Sequence, residues 1–256
     1  MLYCGRRQSA LSRPGKIHKM LRQITSLFFA AMLWLGAQPA IAQQIQANQP
    51  EQFAAEIAAF STADENRVGD CAIVFVGSSS IRMWRALEAD MAPSSVVNRG
   101  FGGATIADVN YYFDALFGRR APRAIFFYAG ENDIAAGQTP HDVVAAFRRF
   151  LRLKNGALGA TPVYFISLKP SLLRFQQIAS QRQVNNAIRR FARSRSDLHF
   201  VNVAAAMMEH GAPRDVFVED GLHMNEHGYA IWARILRPLV AREMSRSGGA
   251  CGAPSP

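Results

Sequence analysis

Short apolar runs alternate with longer stretches of mixed polarity along most of this chain. Ala72–Val76, Ser95–Asn98, Ala124–Ala129, Val163–Leu168 and Leu198–Val203 have the apolar, β-branched and aromatic content that predicts five strands. Helices are predicted at Glu51–Phe60, Ile81–Asp90, Ile106–Phe117 and Gln176–Arg193, the last with Ile178, Val184, Ile188 and Phe191 on one side. Thr139-Pro140-His141-Asp142 combines a cap, a first-turn proline and an acid, so a helix is predicted from there to about Lys154. Asn225 is the predicted cap of a final helix, Glu226–Met244. The strands are almost continuously apolar, as expected when helices cover both faces of a sheet. Strand and helix alternating in this way predict a doubly wound, parallel, five-stranded sheet. Ligands of such folds bind beyond the carboxyl ends of the strands.

The N-terminal segment departs from this alternation. Leu27–Ala37 is an apolar run, preceded by Arg6, Arg7, Arg13, Lys16, Lys19 and Arg22 and followed by Ala40-Ile41-Ala42. That is the pattern of an export signal over residues 1–42, with cleavage expected after Ala42. The run is shorter than the roughly 20 residues of a membrane-spanning helix. Met20–Ala42 would be a well-proportioned signal by itself, so Met1 and Met20 are both candidate starts. Residues 43–50 read as a linker, 51–245 as one domain and 246–256 as a flexible tail. A periplasmic or secreted location is expected, with the membrane involved only through the export signal.

Charge adds little once that signal is set aside. The chain has 29 Lys+Arg against 19 Asp+Glu, a formal net charge of +10. Six of the basic and none of the acidic residues lie in the signal, so the remainder carries +4. A nucleic-acid partner therefore loses most of its electrostatic support. Of three cysteines, Cys4 leaves with the signal, and an oxidising compartment favours pairing of Cys71 with Cys251. Neither has metal-site spacing, and no metal or organic cofactor is expected.

Four short blocks, in order, carry candidate chemistry: Phe75–Ile81 (Phe-Val-Gly-Ser-Ser-Ser-Ile), Asn98–Gly103 (Asn-Arg-Gly-Phe-Gly-Gly), Gly130–Asp133 (Gly-Glu-Asn-Asp) and Asp220–His223 (Asp-Gly-Leu-His). Each sits after a predicted strand, where one site can gather them. Ser78, Ser79 and Ser80 compete as hydroxyl nucleophiles, which need a base to become reactive. Asp220 lies three residues before His223, close enough to accept its Nδ1–H and fix its tautomer. Gly102 and Gly103 offer unobstructed backbone N–H groups and Asn132 a side-chain amide, the donor types of an oxyanion hole. Thr105 stands where a dinucleotide loop starting at Gly100 needs its last glycine. Ile81 likewise stands where a Gly-x-Ser-x-Gly elbow needs one.

The ordered set resembles the SGNH hydrolases, the GDSL-type esterase/lipase superfamily, over about residues 51–240. Gly-Ser-Ser-Ser-Ile-Arg-x-Trp followed by Asn-Arg-Gly-Phe-Gly-Gly is similar to bacterial members near the platelet-activating-factor acetylhydrolase branch. The resemblance implies Ser79 as nucleophile, His223 as base and Asp220 as its orienting acid. It implies Gly103, Asn132 and the Ser79 N–H as oxyanion donors. One departure is Ser78, where the family usually has Asp.

The expectation is a flavodoxin-like, three-layer α/β/α serine esterase. Its expected substrates are short acyl esters, acetyl above all, of a small molecule, carbohydrate or lipid. Arg82, Trp84, Phe101, Glu131, Lys169, Arg174 and Met224 are the candidate substrate contacts. The alternatives are a thioesterase or lysophospholipase, or a non-catalytic carbohydrate- or envelope-binding module on the same fold. The oligomeric state is left open.

Overall fold

The computed structural model describes residues 50–67, 71–118 and 122–246. The expected export signal, residues 43–49 of the linker, the tail from residue 247, and Cys251 with its pairing to Cys71 lie outside them.

Five parallel strands form the centre: β1 (Ile73–Gly77), β2 (Val96–Gly100), β3 (Ala124–Tyr128), β4 (Val163–Ile166) and β5 (Leu198–Val201). Their order is β2-β1-β3-β4-β5. The chain runs outward from β1 to β2, then returns past β1 to β3. The strand order therefore reverses at β1 and β3, where folds of this type open a crevice for ligands.

Alternation along each strand separates two cores. Val74, Val76, Ile125, Phe127, Val163 and Phe165 face one side, against α1 (Ala54–Arg67), α4 (Ile106–Tyr111), α5 (Phe113–Phe117), α7 (Pro140–Leu158) and α8 (Ile178–Ala192). Ile73, Phe75, Phe126, Tyr128, Tyr164 and Ile166 face the other, against α2 (Ser79–Arg82), α3 (Leu87–Met91) and α9 (Glu226–Ser245). On that face Phe75, Phe126 and Tyr164 stack in a row across three strands, with centroid separations of 4.7 and 4.6 Å. This is the predicted three-layer α/β/α arrangement.

Capping signals place the helix starts. Thr139 and Asp142 form a reciprocal capping box at α7, and the Asn225 side chain accepts the N–H groups of His227 and Gly228 at α9. Two predicted helices are broken instead. Residues 81–90 give α2 and α3, because Trp84 turns into the core between them and donates its indole N–H to Asp90 at 2.6 Å. Residues 106–117 give α4 and α5, parted at Tyr112, whose hydroxyl donates to the Pro50 carbonyl at 2.8 Å. Pro50 thus opens a 3-10 helix, Pro50–Phe53, that leads into α1. The short helix α6 (Glu131–Ala135) and the hairpin of β6 (Met208–Glu209) and β7 (Ala212–Pro213) carry too few residues to show a period.

Candidate active site

Two glycines bring the first two blocks into contact. At Gly77 φ is +142°, and a Cβ there would lie 1.8 Å from the Tyr128 carbonyl oxygen. At Gly100 a Cβ would lie 2.2 Å from the Arg82 nitrogen. Only glycine lets the turn after β1 pass so close to its neighbours. The Asn98 amide then donates to the Ile81 carbonyl at 2.7 Å and accepts the Gly100 N–H at 2.9 Å. This turn starts α2 with Ser78 as its cap and Ser79 as its first residue. A first-turn N–H has no acceptor inside its own helix, so the Ser79 N–H is left for another partner.

The three serines separate by environment. Ser78 and Ser80 are buried, whereas Ser79 is partly exposed. The Ser79 hydroxyl lies 2.8 Å from His223 Nε2, and His223 Nδ1 lies 2.5 Å from Asp220 Oδ2. Asp220 Oδ1 also accepts the backbone N–H groups of Leu222 and His223, both at 2.8 Å. Partial burial would raise the Asp220 carboxyl, but hydrogen bonds from the His223 ring and these two N–H groups outweigh it and hold it at about 2. The residue stays ionised at neutral pH and orients the imidazole.

The loop bearing this pair is closed on itself. Val218 donates to the His223 carbonyl at 2.8 Å, and Gly221 to that of Val218 at 2.9 Å. Gly221 has φ of +64°, and its carbonyl accepts the Leu173 N–H at 3.0 Å.

The third block faces the second. The Asn132 amide donates to the Ala104 carbonyl at 3.0 Å, and its oxygen accepts from Arg174 at 2.9 Å. Arg174 can only donate, so it fixes which way the amide points. Gly103, next to Ala104, has φ of +77° with open space where a Cβ would be, so conformation rather than room favours glycine there. Asp133 accepts the Ile106 N–H at 3.1 Å and so ties α6 to the start of α4. Burial is the main cause that pushes its carboxyl up to about 6, against that backbone bond.

The expected substrate contacts divide. Trp84 is 1% exposed and stacked on Tyr229, Phe101 is fully buried against Phe53, and Met224 is 3% exposed. These three pack the core and are corrected to structural residues. A large apolar side chain beside a motif reads the same whether it faces inward or toward a ligand. Glu131 and Lys169 are also buried, paired with each other at 3.4 Å, and do not face solvent. Burial lowers the Lys169 ammonium, and Glu131 opposes that effect. Arg174 acts on Asn132. Arg82 is half-exposed and pairs at 3.4 Å with Glu56, which also accepts the Gly102 N–H at 3.2 Å. No local signal marks Glu56, since it lies 46 positions from Gly102 and outside every motif. Among the described residues no three His, Cys, Asp or Glu side chains cluster as a metal site.

Comparisons with known proteins follow the same lines. Residues 61–231 match the GDSL-like Lipase/Acylhydrolase family. A Streptococcus pneumonia structure described as a platelet activating factor candidate aligns at TM-score 0.68 and 21% identity, covering 79% of this chain and 100% of its own. A GDSL-like lipase from Bacteroides thetaiotaomicron aligns at TM-score 0.59 and 21% identity, covering 77% and 98%. A carbohydrate esterase family 3 protein from Talaromyces cellulolyticus aligns at 0.55 and 16%, covering 69% and 100%. At these identities the likeness establishes the fold. No curated protein matches. With residues 61–231 matched, more than half of its length, this carboxylic ester hydrolase belongs to the GDSL-like lipase/acylhydrolase family.

Proposed function

We propose that the protein is an exported serine esterase acting on short acyl esters, acetyl above all. The observation that carries this reading is the continuous chain of hydrogen bonds from Ser79 through His223 to Asp220. His223 Nε2 takes the Ser79 proton as the oxygen attacks the ester carbonyl carbon. The charge on the carbonyl oxygen is met by the Ser79 N–H, the Gly103 N–H and the second N–H of the Asn132 amide. When the tetrahedral intermediate collapses, His223 returns the proton to the leaving alcohol. Water, deprotonated by His223, then attacks the acyl-serine and releases the acid. Turnover of p-nitrophenyl acetate by the purified protein, lost in Ser79→Ala, is the expected result. Equal turnover in that variant would overturn the assignment.

A second reading, hydrolysis of longer acyl chains, has one observation in its favour. Leu172, Leu173 and Val218 are 51, 56 and 41% exposed, and the first two lie against Gly221 in the loop that carries His223. An apolar rim at this place suits an acyl chain. Under the main reading activity falls from acetyl to octanoyl p-nitrophenyl esters. Under the second it rises, and Leu173→Ser abolishes the rise.

A further inference from the structure

Lys169 lies just past β4 with no exposed surface. Its backbone is anchored, because the Asn185 side chain on α8 holds both the N–H and the carbonyl of the preceding Leu168, at 2.8 and 2.9 Å. Its ammonium donates to the Leu222 carbonyl at 2.9 Å, faces the Phe217 ring at 5.5 Å, and pairs with Glu131. Glu131 in turn accepts the hydroxyl proton of Tyr128 and is the immediate neighbour of Asn132.

The Leu222 carbonyl and the His223 N–H belong to one planar peptide group. Its N–H end is held by Asp220 Oδ1 at 2.8 Å, and its C=O end by Lys169. Rotation of that plane would swing the His223 side chain away from Ser79, and it is pinned at both ends. A buried ion pair is a poor source of stability, since desolvation offsets the attraction, and well-packed apolar side chains often serve as well. What an apolar side chain could not supply is the directed hydrogen bond to Leu222.

We propose that Lys169 and Glu131 are positioning residues, which lock the Leu222–His223 peptide to the element that carries Asn132 and so hold base and oxyanion donor in register. The proposal rests on the serine esterase reading for its kinetic consequence but not for its geometric one. The test uses Lys169→Met and the double variant Lys169→Met/Glu131→Gln. The double variant removes both charges and leaves an acceptor for Tyr128, so it tests the same contact if the single variant does not fold.

Three readouts apply: circular dichroism, kcat and KM on p-nitrophenyl acetate, and the downfield proton resonance of His223 Nδ1–H. With the fold intact, kcat should fall about 100-fold, the scale of a 1 Å misplacement. KM should move less than about twofold, since binding of a small ester does not use the lysine. The downfield resonance should be lost or broadened. A folded double variant with kcat within about threefold of the parent, or a loss confined to KM, overturns the proposal. If the parent and Ser79→Ala are equally inactive, the esterase mechanism fails instead. The resonance then decides alone, and an unchanged signal in the variants overturns the positioning role.

Discussion

Each end of the central sheet buries a lysine, and the two are built alike. At the amino end, Lys154 on α7 donates to Asp197 at 2.6 Å and to the Gly159 carbonyl at 2.9 Å. At the carboxyl end, Lys169 pairs with Glu131 and donates to the Leu222 carbonyl. In both cases one carboxylate and one carbonyl satisfy a fully buried ammonium. The difference lies in what the carbonyl belongs to. Gly159 closes a helix ahead of β4, far along the chain from any of the four motifs. Leu222 stands between Asp220 and His223. The same physical device therefore joins scaffold to scaffold at one end and scaffold to chemistry at the other.

The largest effects that sharpen this contrast come from the carboxyl end alone. Asp220→Asn keeps the shape of the loop but no longer favours the right imidazole tautomer. It should lower kcat by roughly 10⁴-fold with little change in thermal stability. Asn132→Ala removes the proposed oxyanion donor and should lower kcat by roughly 10²–10³-fold. Steady-state kinetics beside thermal melts check both. An Asp220→Asn protein that melts early, or one that keeps full activity, would break the separation between the two ends.

Lys154→Met should do the reverse. It removes one of the two cations that Asp197 accepts from, Arg195 remaining at 2.7 Å, and should cost about 1–2 kcal/mol of stability. Its kcat should match the parent below the melting transition. Urea unfolding together with the p-nitrophenyl acetate assay tests this. A selective loss of kcat would show that the amino end also reaches the site.

The smallest effects concern pH, and they have opposite signs at the two ends. Burial works against the Asp197 carboxylate, but hydrogen bonds from Arg195 and Lys154 prevail and hold it at about 2, below its ordinary 3.8. A depressed pKa in the folded state stabilises above the unfolded value, and that contribution is lost as pH falls from about 4 to 2. The amount is on the order of 2 kcal/mol, and Asp197→Asn should flatten that part of the curve. Asp133, at the carboxyl end, is pushed up to about 6. Its folded form binds a proton at a pH where the unfolded chain does not, so its contribution falls as pH rises from about 4 through 6. Asp133→Asn should remove that slope, as measured by melts across the range. A slope of the same sign from both residues would contradict their environments.

Much of this was legible in the chain itself. The apolar runs placed all five strands, and the blocks at their ends placed Ser79, Asn132, Asp220 and His223 where the structure has them. Local signals succeeded because strand burial and helix capping depend on neighbouring residues. Long-range pairings were not legible. Lys169 lies 38 positions from Glu131 and 53 from Leu222, and no local pattern announces either partner. A lysine and a glutamate near a predicted site read as substrate contacts until burial shows that they face each other. Trp84 and Phe101 read as site contacts for a related reason, since a single aromatic beside a motif gives no period that shows which way it turns. The residues by themselves leave three adjacent serines open; the family resemblance singles out Ser79, and its hydroxyl is the one that lies 2.8 Å from His223.

The proposed reaction turns on Ser79 as the nucleophile that His223 activates. Labelling of the purified protein with a fluorophosphonate, followed by peptide mass analysis, tests it most directly. A single adduct on the Ser79 hydroxyl is expected, absent in Ser79→Ala and much slower in Asp220→Asn. An adduct on Ser78 or Ser80, or a folded parent that takes no label while hydrolysing esters, would contradict it.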